Sequence, residues 1–150
     1  MSLMPIAIRC AVLDDMPAIL AIGWRAPMAP RWTREQFARL VGNGVVLVAE
    51  DVAEVRGFIC ANALSNEWEI ENIVVDAEFL RRGIADALLR ALIQRAKNEA
   101  ASAILLDVRE SNLPARRLYE KYAFRELGRR RMYYKDPLED AILYTLSLDR

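Results

Sequence analysis

The chain contains no histidine. That absence removes a histidine general base and every zinc site that needs an imidazole ligand. Cysteine is nearly missing too. Cys10 and Cys60 stand far apart, each in an apolar run, so no disulfide framework exists and both read as small buried hydrophobes of a reducing compartment. An excess of one charge is also lacking, because 21 Lys plus Arg balance 21 Asp plus Glu. Nothing general therefore draws nucleic acid or an anionic membrane to the surface. No apolar run nears the roughly 20 residues of a membrane span, and the N-terminus lacks the layout of a signal peptide. The expectation is a soluble cytoplasmic protein without a metal, and without nucleic acid or membrane as partner.

What is present is a chain of 150 residues, the size of one domain that buries roughly 68–70% of its surface without staples. Residues 1–150 are read as that one domain, with Met1-Ser2-Leu3 ahead of Met4 set aside as a possible expression remnant. Ile6 to Val12 predicts a strand, and Asp14 caps a helix to about Trp24, with Asp15 and Pro17 in its first turn. Pro27 and Pro30 mark a loop. Thr33-Arg34-Glu35-Gln36 forms a capping box for a second helix that stops near Gly42-Asn43-Gly44. Val45 to Glu50 and Val55 to Ala63 predict a hairpin with Gly57 as a bulge. Glu67 to Val75 is the next strand, followed by a helix from about Arg82 to Glu99. Ala103 to Val108, a helix from Ser111 or Asn112 to about Tyr122, and strands Phe124 to Tyr134 and Ala141 to Leu148 complete the chain. The order βααβββαβαββ predicts a mixed α/β fold: one mixed sheet of about seven strands with helices on both faces. A parallel pair is expected where a helix connects the strands ending at Val75 and Val108.

Leu80-Arg81-Arg82-Gly83-Ile84-Ala85 joins an apolar strand to a helix whose apolar residues Ile84, Leu88, Leu89, Leu92 and Ala96 recur at helical spacing. The start of such a helix exposes amides with no intrahelical partner, and the helix dipole adds partial positive charge. With two arginines beside it, the turn suits a diphosphate, and glycine lets the anion approach the backbone. The alternative is an ordinary strand-to-helix turn with solvated arginines. Ligands of such sheets bind beyond the carboxyl ends of strands. Arg109 to Asn112 lies at the neighbouring strand end, so both segments converge.

These residues carry a resemblance over nearly the whole chain to the GNAT superfamily of acetyl-CoA-dependent N-acetyltransferases. The family's phosphate loop resembles Leu80 to Ala85. Its N-x-x-A-x-x-L-Y helix matches Asn112-Leu113-Pro114-Ala115-Arg116-Arg117-Leu118-Tyr119, and Phe124 fits the continuation. Tyr133-Tyr134 followed by Glu139-Asp140-Ala141, with Pro30-Arg31-Trp32-Thr33, is most similar to RimI-type ribosomal-protein alanine N-terminal acetyltransferases. Two departures stand out. Leu80 replaces a usual Gln or Arg, and Asp107-Val108-Arg109 replaces a frequent Glu-Val-Arg. Asp is one methylene shorter, which leaves a water relay as its route.

The resemblance implies acetyl-CoA as donor, with its diphosphate at Arg81, Arg82, Gly83, Ile84 and Ala85 and with Asn112 nearby. The thioester would lie against the backbone of Ile73, Val74 and Val75, whose N–H groups serve pantetheine and the developing oxyanion. Tyr119 is the implied acid for the leaving thiolate, since a phenol near pKa 10 stays protonated at neutral pH. Its other reading is a core aromatic of an amphipathic helix. Glu69 and Asp107 stand level as candidate bases, with Glu71 behind them. Glu69 and Glu71, two apart on one strand, are expected on one sheet face, and either also reads as a solvated carboxylate. Glu71, Tyr133 and Tyr134 are the expected acceptor-binding residues.

The acceptor implied is the N-terminal α-amine of a protein. Its pKa of about 7.7–8.0 makes deprotonation at pH 7 cost about 1–1.4 kcal/mol, against about 4.6 for lysine near 10.4. A small-molecule amine on the same scaffold, or an acyl-CoA-binding module that has lost transfer, remains open, as does a monomer or a homodimer. Arg129-Arg130-Arg131 reads as solvated or salt-bridged. Arg109 and Arg116 are in reach of phosphates but are more commonly solvated. Trp24 and Trp68 read as core or edge packing.

Overall fold

Five consecutive apolar residues, Val45 to Ala49, are buried, and their alternation decides the layering. Val45, Leu47 and Ala49 face one apolar cluster and Val46 and Val48 face another, as a strand covered on both sides requires. The computed structural model describes residues 6–26 and 32–148. Met1-Ser2-Leu3, the loop prolines Pro27 and Pro30, and Arg31 lie outside the described residues.

Among the described residues the strands are β1 (Ala7–Cys10), β2 (Gly44–Asp51), β3 (Glu54–Asn62), β4 (Glu67–Val75), β5 (Ala103–Arg109), β6 (Arg125–Tyr134) and β7 (Glu139–Ser147). The helices are α1 (Met16–Arg25), α2 (Arg34–Asn43), α3 (Ile84–Asn98) and α4 (Leu113–Lys121). They form one seven-stranded sheet in the order β1-β2-β3-β4-β5-β7-β6. The β4–β5 pair is parallel and the other five are antiparallel. The expected element order and parallel pair are both present.

On one face α3 lays Ile84, Leu88, Leu89, Leu92 and Ala96 against Trp68, Ile70 and Ile104, and Tyr119 of α4 joins the same cluster. Each large aliphatic side chain so buried contributes about 1.5–3 kcal/mol. On the other face Ile19 and Ile22 of α1 and Phe37 of α2 pack on Val46, Phe58 and Val74. Gly57 admits α3 closely, because a Cβ there would come 3.0 Å from the Val74 carbonyl oxygen and 3.2 Å from Ile84.

Several expectations are corrected. The first helix begins at Met16 after a short 3-10 turn, Leu13–Asp15. Asp15 rather than Asp14 stands at its N-cap, and its carboxylate accepts from Arg9 at 2.8 and 2.9 Å and from the Val12 amide at 2.8 Å. In the hairpin, Ala49 pairs with Gly57 and Glu50 with Val55, so Arg56 is the inserted residue and Gly57 its neighbour. Cys60 is buried but Cys10 is exposed, because β1 is a short edge strand. The Cys10 thiol lies 3.2 Å from the Arg95 guanidinium. Trp68 is core, whereas Trp24 is largely exposed. The long helix starts at Ile84 rather than Arg82, since Arg81 and Gly83 both have positive φ, 64° and 76°. The capping box stands: Thr33 Oγ1 accepts from the Gln36 amide at 3.2 Å, and Gln36 Oε1 from the Thr33 amide at 2.8 Å.

Candidate active site

Strands β4 and β5 pair only over Glu67–Ala103, Trp68–Ile104 and Glu69–Leu105. Beyond Glu69, β4 stays with β3 as far as the Val75–Gly57 pair. Over the same stretch β5 stays with β7 as far as Arg109–Ala141. The sheet therefore splits between them, leaving the facing backbone of 70–75 without a strand partner. An opened parallel pair of this kind presents amides and carbonyls to an extended ligand.

A bulge sits at the fork. Ile70 pairs with Ala61 and Asn72 with Cys60, so Glu71 is inserted and the alternation reverses after it. Ile70 packs toward α3 before the bulge; Ile73 and Val75 do so after it, while Val74 faces α1 and α2. Glu69 and Glu71 are both exposed and close enough to interact. Although Glu71 is exposed overall, its carboxyl is raised from its ordinary value, first by partial desolvation and then by the charges of Glu69 and of Asp107 on β5. The three carboxylates thus stand within electrostatic reach of one another beside the split. Arg130 approaches Asp107 at 3.8 Å. Glu71 also lines a cleft of about 340 Å³ with Trp32, Gln36, Arg39, Leu40, Asn43, Asn62 and Leu64.

At the far end of the split, the turn 80–83 leads into α3. Ala87 donates to the Gly83 carbonyl at 3.0 Å, so the amides ahead of it have no intrahelical acceptor. A Cβ on Gly83 would meet nothing within 4 Å, which leaves the amides open from outside. Ile84 itself is core, so only its backbone faces the turn. Arg82 lies over the Phe79 ring at 4.9 Å, and Arg56 over the same ring at 4.2 Å. The α3 start is tied to α4 through Asp86, which accepts from Lys121 at 2.6 Å and from the Tyr122 hydroxyl at 2.9 Å.

Tyr119 is 4% exposed, and burial pushes its hydroxyl pKa up. Asn112 caps α4, its side-chain oxygen accepting from the Ala115 amide at 3.3 Å. Tyr133 is exposed and meets Tyr134 edge-on at 5.1 Å. The Tyr134 hydroxyl is pushed up to about 12, first by burial and then by Asp107. The structure thus brings Glu69, Glu71, Asp107 and Tyr134 together around the split, while Ile73 to Val75 and the turn 81–85 line its outer end.

A family model described as the acetyltransferase (GNAT) family matches residues 11–124. The chain belongs to the GNAT acetyltransferase family. Among curated relatives, the ribosomal protein bS18-alanine N-acetyltransferase of Escherichia coli is 33% identical over 137 residues, 89% of this chain and 92% of its own length. The enzyme of the same name from Haemophilus ducreyi is 34% identical over 145 residues, 94% of this chain and 99% of its own. Among solved structures, the ribosomal-protein-S18-alanine N-acetyltransferase from Escherichia coli superposes with a TM-score of 0.90 at 31% identity. That match covers 97% of this chain and 96% of the other. This GNAT chain is an N-acetyltransferase of the RimI-like group, and acetyl-CoA is the family's donor. The open Gly83 turn and the unpaired edge of β4 fit that donor. No group of three or more His, Cys, Asp or Glu side chains is placed to hold a metal among the described residues.

Sequence reasoning missed two arginines. Arg116 donates to the Tyr144 hydroxyl at 3.1 Å, the Glu110 carbonyl at 2.9 Å and Glu126 at 2.9 Å. Arg109 is held just as firmly, and neither is a solvated side chain. The Arg109 acceptors and Tyr144 of Arg116 lie 26 to 30 residues away in sequence, so no local pattern marks them. Arg129, read as solvated or salt-bridged, bonds Asp140 at 2.8 Å and Glu110 at 2.5 Å. The cleft residues Arg39, Asn43 and Asn62 carried no signal either, since each is an ordinary surface residue until α2 packs beside β3.

Proposed function

We propose that this enzyme acetylates the N-terminal α-amine of a cytoplasmic protein by direct transfer, with donor and acceptor bound together. The observation that carries this reading is the fork of β4 and β5 beside a cleft of about 340 Å³ lined by Glu71, with Glu69 and Asp107 within electrostatic reach of it. Three carboxylates suit an incoming ammonium group, and the cleft gives the chain behind it a place to lie. The relatives named ribosomal protein bS18-alanine N-acetyltransferase, 33% and 34% identical over most of both lengths, support a protein acceptor.

In this reading the amides of Gly83, Ile84 and Ala85, with Arg81 and Arg82, hold the diphosphate. The backbone of Ile73, Val74 and Val75 takes pantetheine and faces the acyl oxygen, and the amide group of Asn112 lies along the same path. Acetyl-CoA supplies an acyl group activated as a thioester. Tyr119, kept protonated by burial, donates a proton to the leaving sulfur. Glu71 receives the proton from the acceptor ammonium. Its inserted position in β4 and its place on the cleft wall favour it over Glu69 and Asp107. Those two raise its pKa and attract the ammonium. Tyr133 and Tyr134 flank the acceptor backbone.

The experiment is a peptide with a small first residue and one internal lysine, mixed with enzyme and acetyl-CoA and read by fragmentation mass spectrometry. The α-amine is expected to carry the acetyl group, because its deprotonation is about 3 kcal/mol cheaper than that of lysine. Acetylation mainly on lysine overturns the reading. Silence on peptides beside rapid acetylation of a small amine assigns the cleft to a metabolite.

A further inference from the structure

We propose that Arg109 is a positioning residue for the acceptor, clamping the β6–β7 loop to the end of β5, which carries Asp107, and to the turn into α4, the helix of Tyr119. Arg109 ends β5, two residues after Asp107. Its carbonyl accepts from the Asn112 amide at 3.0 Å, which starts the turn into α4 and so toward Tyr119. Its side chain, 13% exposed, reaches the other way. Nη1 donates to the Pro137 carbonyl at 3.0 Å and to Glu139 at 3.3 Å, and Nη2 donates to the Lys135 carbonyl at 3.1 Å. The guanidinium carbon lies 4.4 Å from the centre of the Tyr134 ring. Glu139 closes the arrangement by accepting from the Ser111 amide at 2.5 Å.

One planar group thus holds two loop carbonyls, one carboxylate and one aromatic face, a set that a lysine ammonium cannot reproduce. The loop residues 135–138 make no ladder pair with the sheet and hang from the Tyr134–Glu139 pair, so the Arg109 bonds tie them directly to β5. Tyr134 in turn stands within electrostatic reach of both Asp107 and Tyr119. Displacing the loop would therefore move the acceptor wall relative to Asp107 and Tyr119, while the phosphate turn at Gly83 belongs to another strand end.

The inference rests on the N-terminal acceptor reading, and two measurements separate their failures. Steady-state kinetics with an N-terminal peptide compare wild type with Arg109→Ala and Arg109→Lys. Arg109→Ala is expected to lower kcat/KM for the peptide on the order of 10–100-fold, with the acetyl-CoA KM unchanged. Arg109→Lys should recover little of it. Hydrogen exchange of amides 134–140 should quicken in both variants, while α3 stays protected. Unchanged peptide kinetics overturn the proposal. So does an acetyl-CoA KM that rises in step with the peptide KM, which would make Arg109 a phosphate ligand. If the wild-type enzyme acetylates no peptide, the functional reading fails, and loop exchange alone decides the clamp: unchanged rates overturn it. Should Arg109→Ala not fold, Arg109→Lys carries both measurements, since it keeps the charge.

Discussion

Tyr119 and Phe124 are joined twice: their ring centres lie 5.6 Å apart, and the Phe124 amide donates to the Tyr119 carbonyl at 3.1 Å. The ring of Tyr119 is therefore core, and its proposed role as acid rests on its hydroxyl alone. The two readings of this residue do not exclude each other. Tyr119→Phe keeps the ring contact and should fold with an unchanged Tm. Turnover should fall on the order of 10²–10⁴, the usual range for a positioned acid, while calorimetry gives the same CoA affinity. Full turnover in the variant would leave Tyr119 as packing alone.

Gly83→Val tests the phosphate turn. The φ of 76° already disfavours a side chain, and the open space outside it is where an anion would approach. Gly83→Ala separates the two effects, adding strain of about 1–2 kcal/mol with little bulk. Stabilisation by CoA in a thermal-shift assay should weaken in the Ala variant and vanish in the Val variant. Equal stabilisation in all three proteins would place the diphosphate elsewhere.

Because the Glu71 carboxyl is raised by partial desolvation and by two like charges, it loses its proton at a higher pH than an ordinary carboxyl. Activity with an α-amine acceptor should rise with pH through that value. Glu71→Gln should remove this limb of the kcat/KM profile. Glu69→Gln deletes one of the raising charges and should move the limb to lower pH. A limb that stays put in both variants belongs to another group.

Asp15 is nearly buried, and Arg9 holds its carboxyl below the usual range. A lowered carboxylate stabilises the fold above its unfolded pKa of about 3.9, and that contribution is lost as pH falls through the folded value. Asp15→Asn should cost on the order of 1–3 kcal/mol at neutral pH, by urea denaturation. The gap to wild type should close in acid. A constant gap from pH 7 to pH 3 would contradict the ion-pair account.

The β2–β3 turn places Val52 and Ala53 at φ 48° and 63°. Two left-handed residues in a two-residue hairpin suit Asn-Gly, and a β-branched residue there is strained. Replacing the pair with Asn-Gly should raise stability by about 1–2 kcal/mol, a Tm increase of roughly 2–8 °C. An unchanged Tm would mean the turn is not strained.

Much of the fold was legible because its signals are local. The period of Leu88, Leu89 and Leu92, the Thr33–Gln36 box and the apolar run from Val45 to Ala49 each act within a few residues, and each element formed where they stand. Leu80 to Ala85 and Asn112 to Tyr119 pointed to the family for the same reason, since a turn into a helix and a helix face are short-range objects. Element ends were less legible. Helix α3 starts two residues later than its pattern, because the positive φ of Arg81 and Gly83 outweighs the propensity of Arg82.

The amino-acid sequence by itself determined the order of elements, the two-sided burial of the sheet and the family, all of which follow from periodicity and adjacent residues. Tertiary structure alone decided which carboxylate is perturbed. The bulge that inserts Glu71 depends on the register of β3 against β4, and the approach of Asp107 to Glu71 depends on where β5 leaves β4. It also decided what Arg109 does, for its acceptors at Lys135, Pro137 and Glu139 come from the far strand pair. Electrostatic and hydrogen-bond energies depend on distances in space, and residues more than two dozen positions apart acquire such distances only when the chain folds.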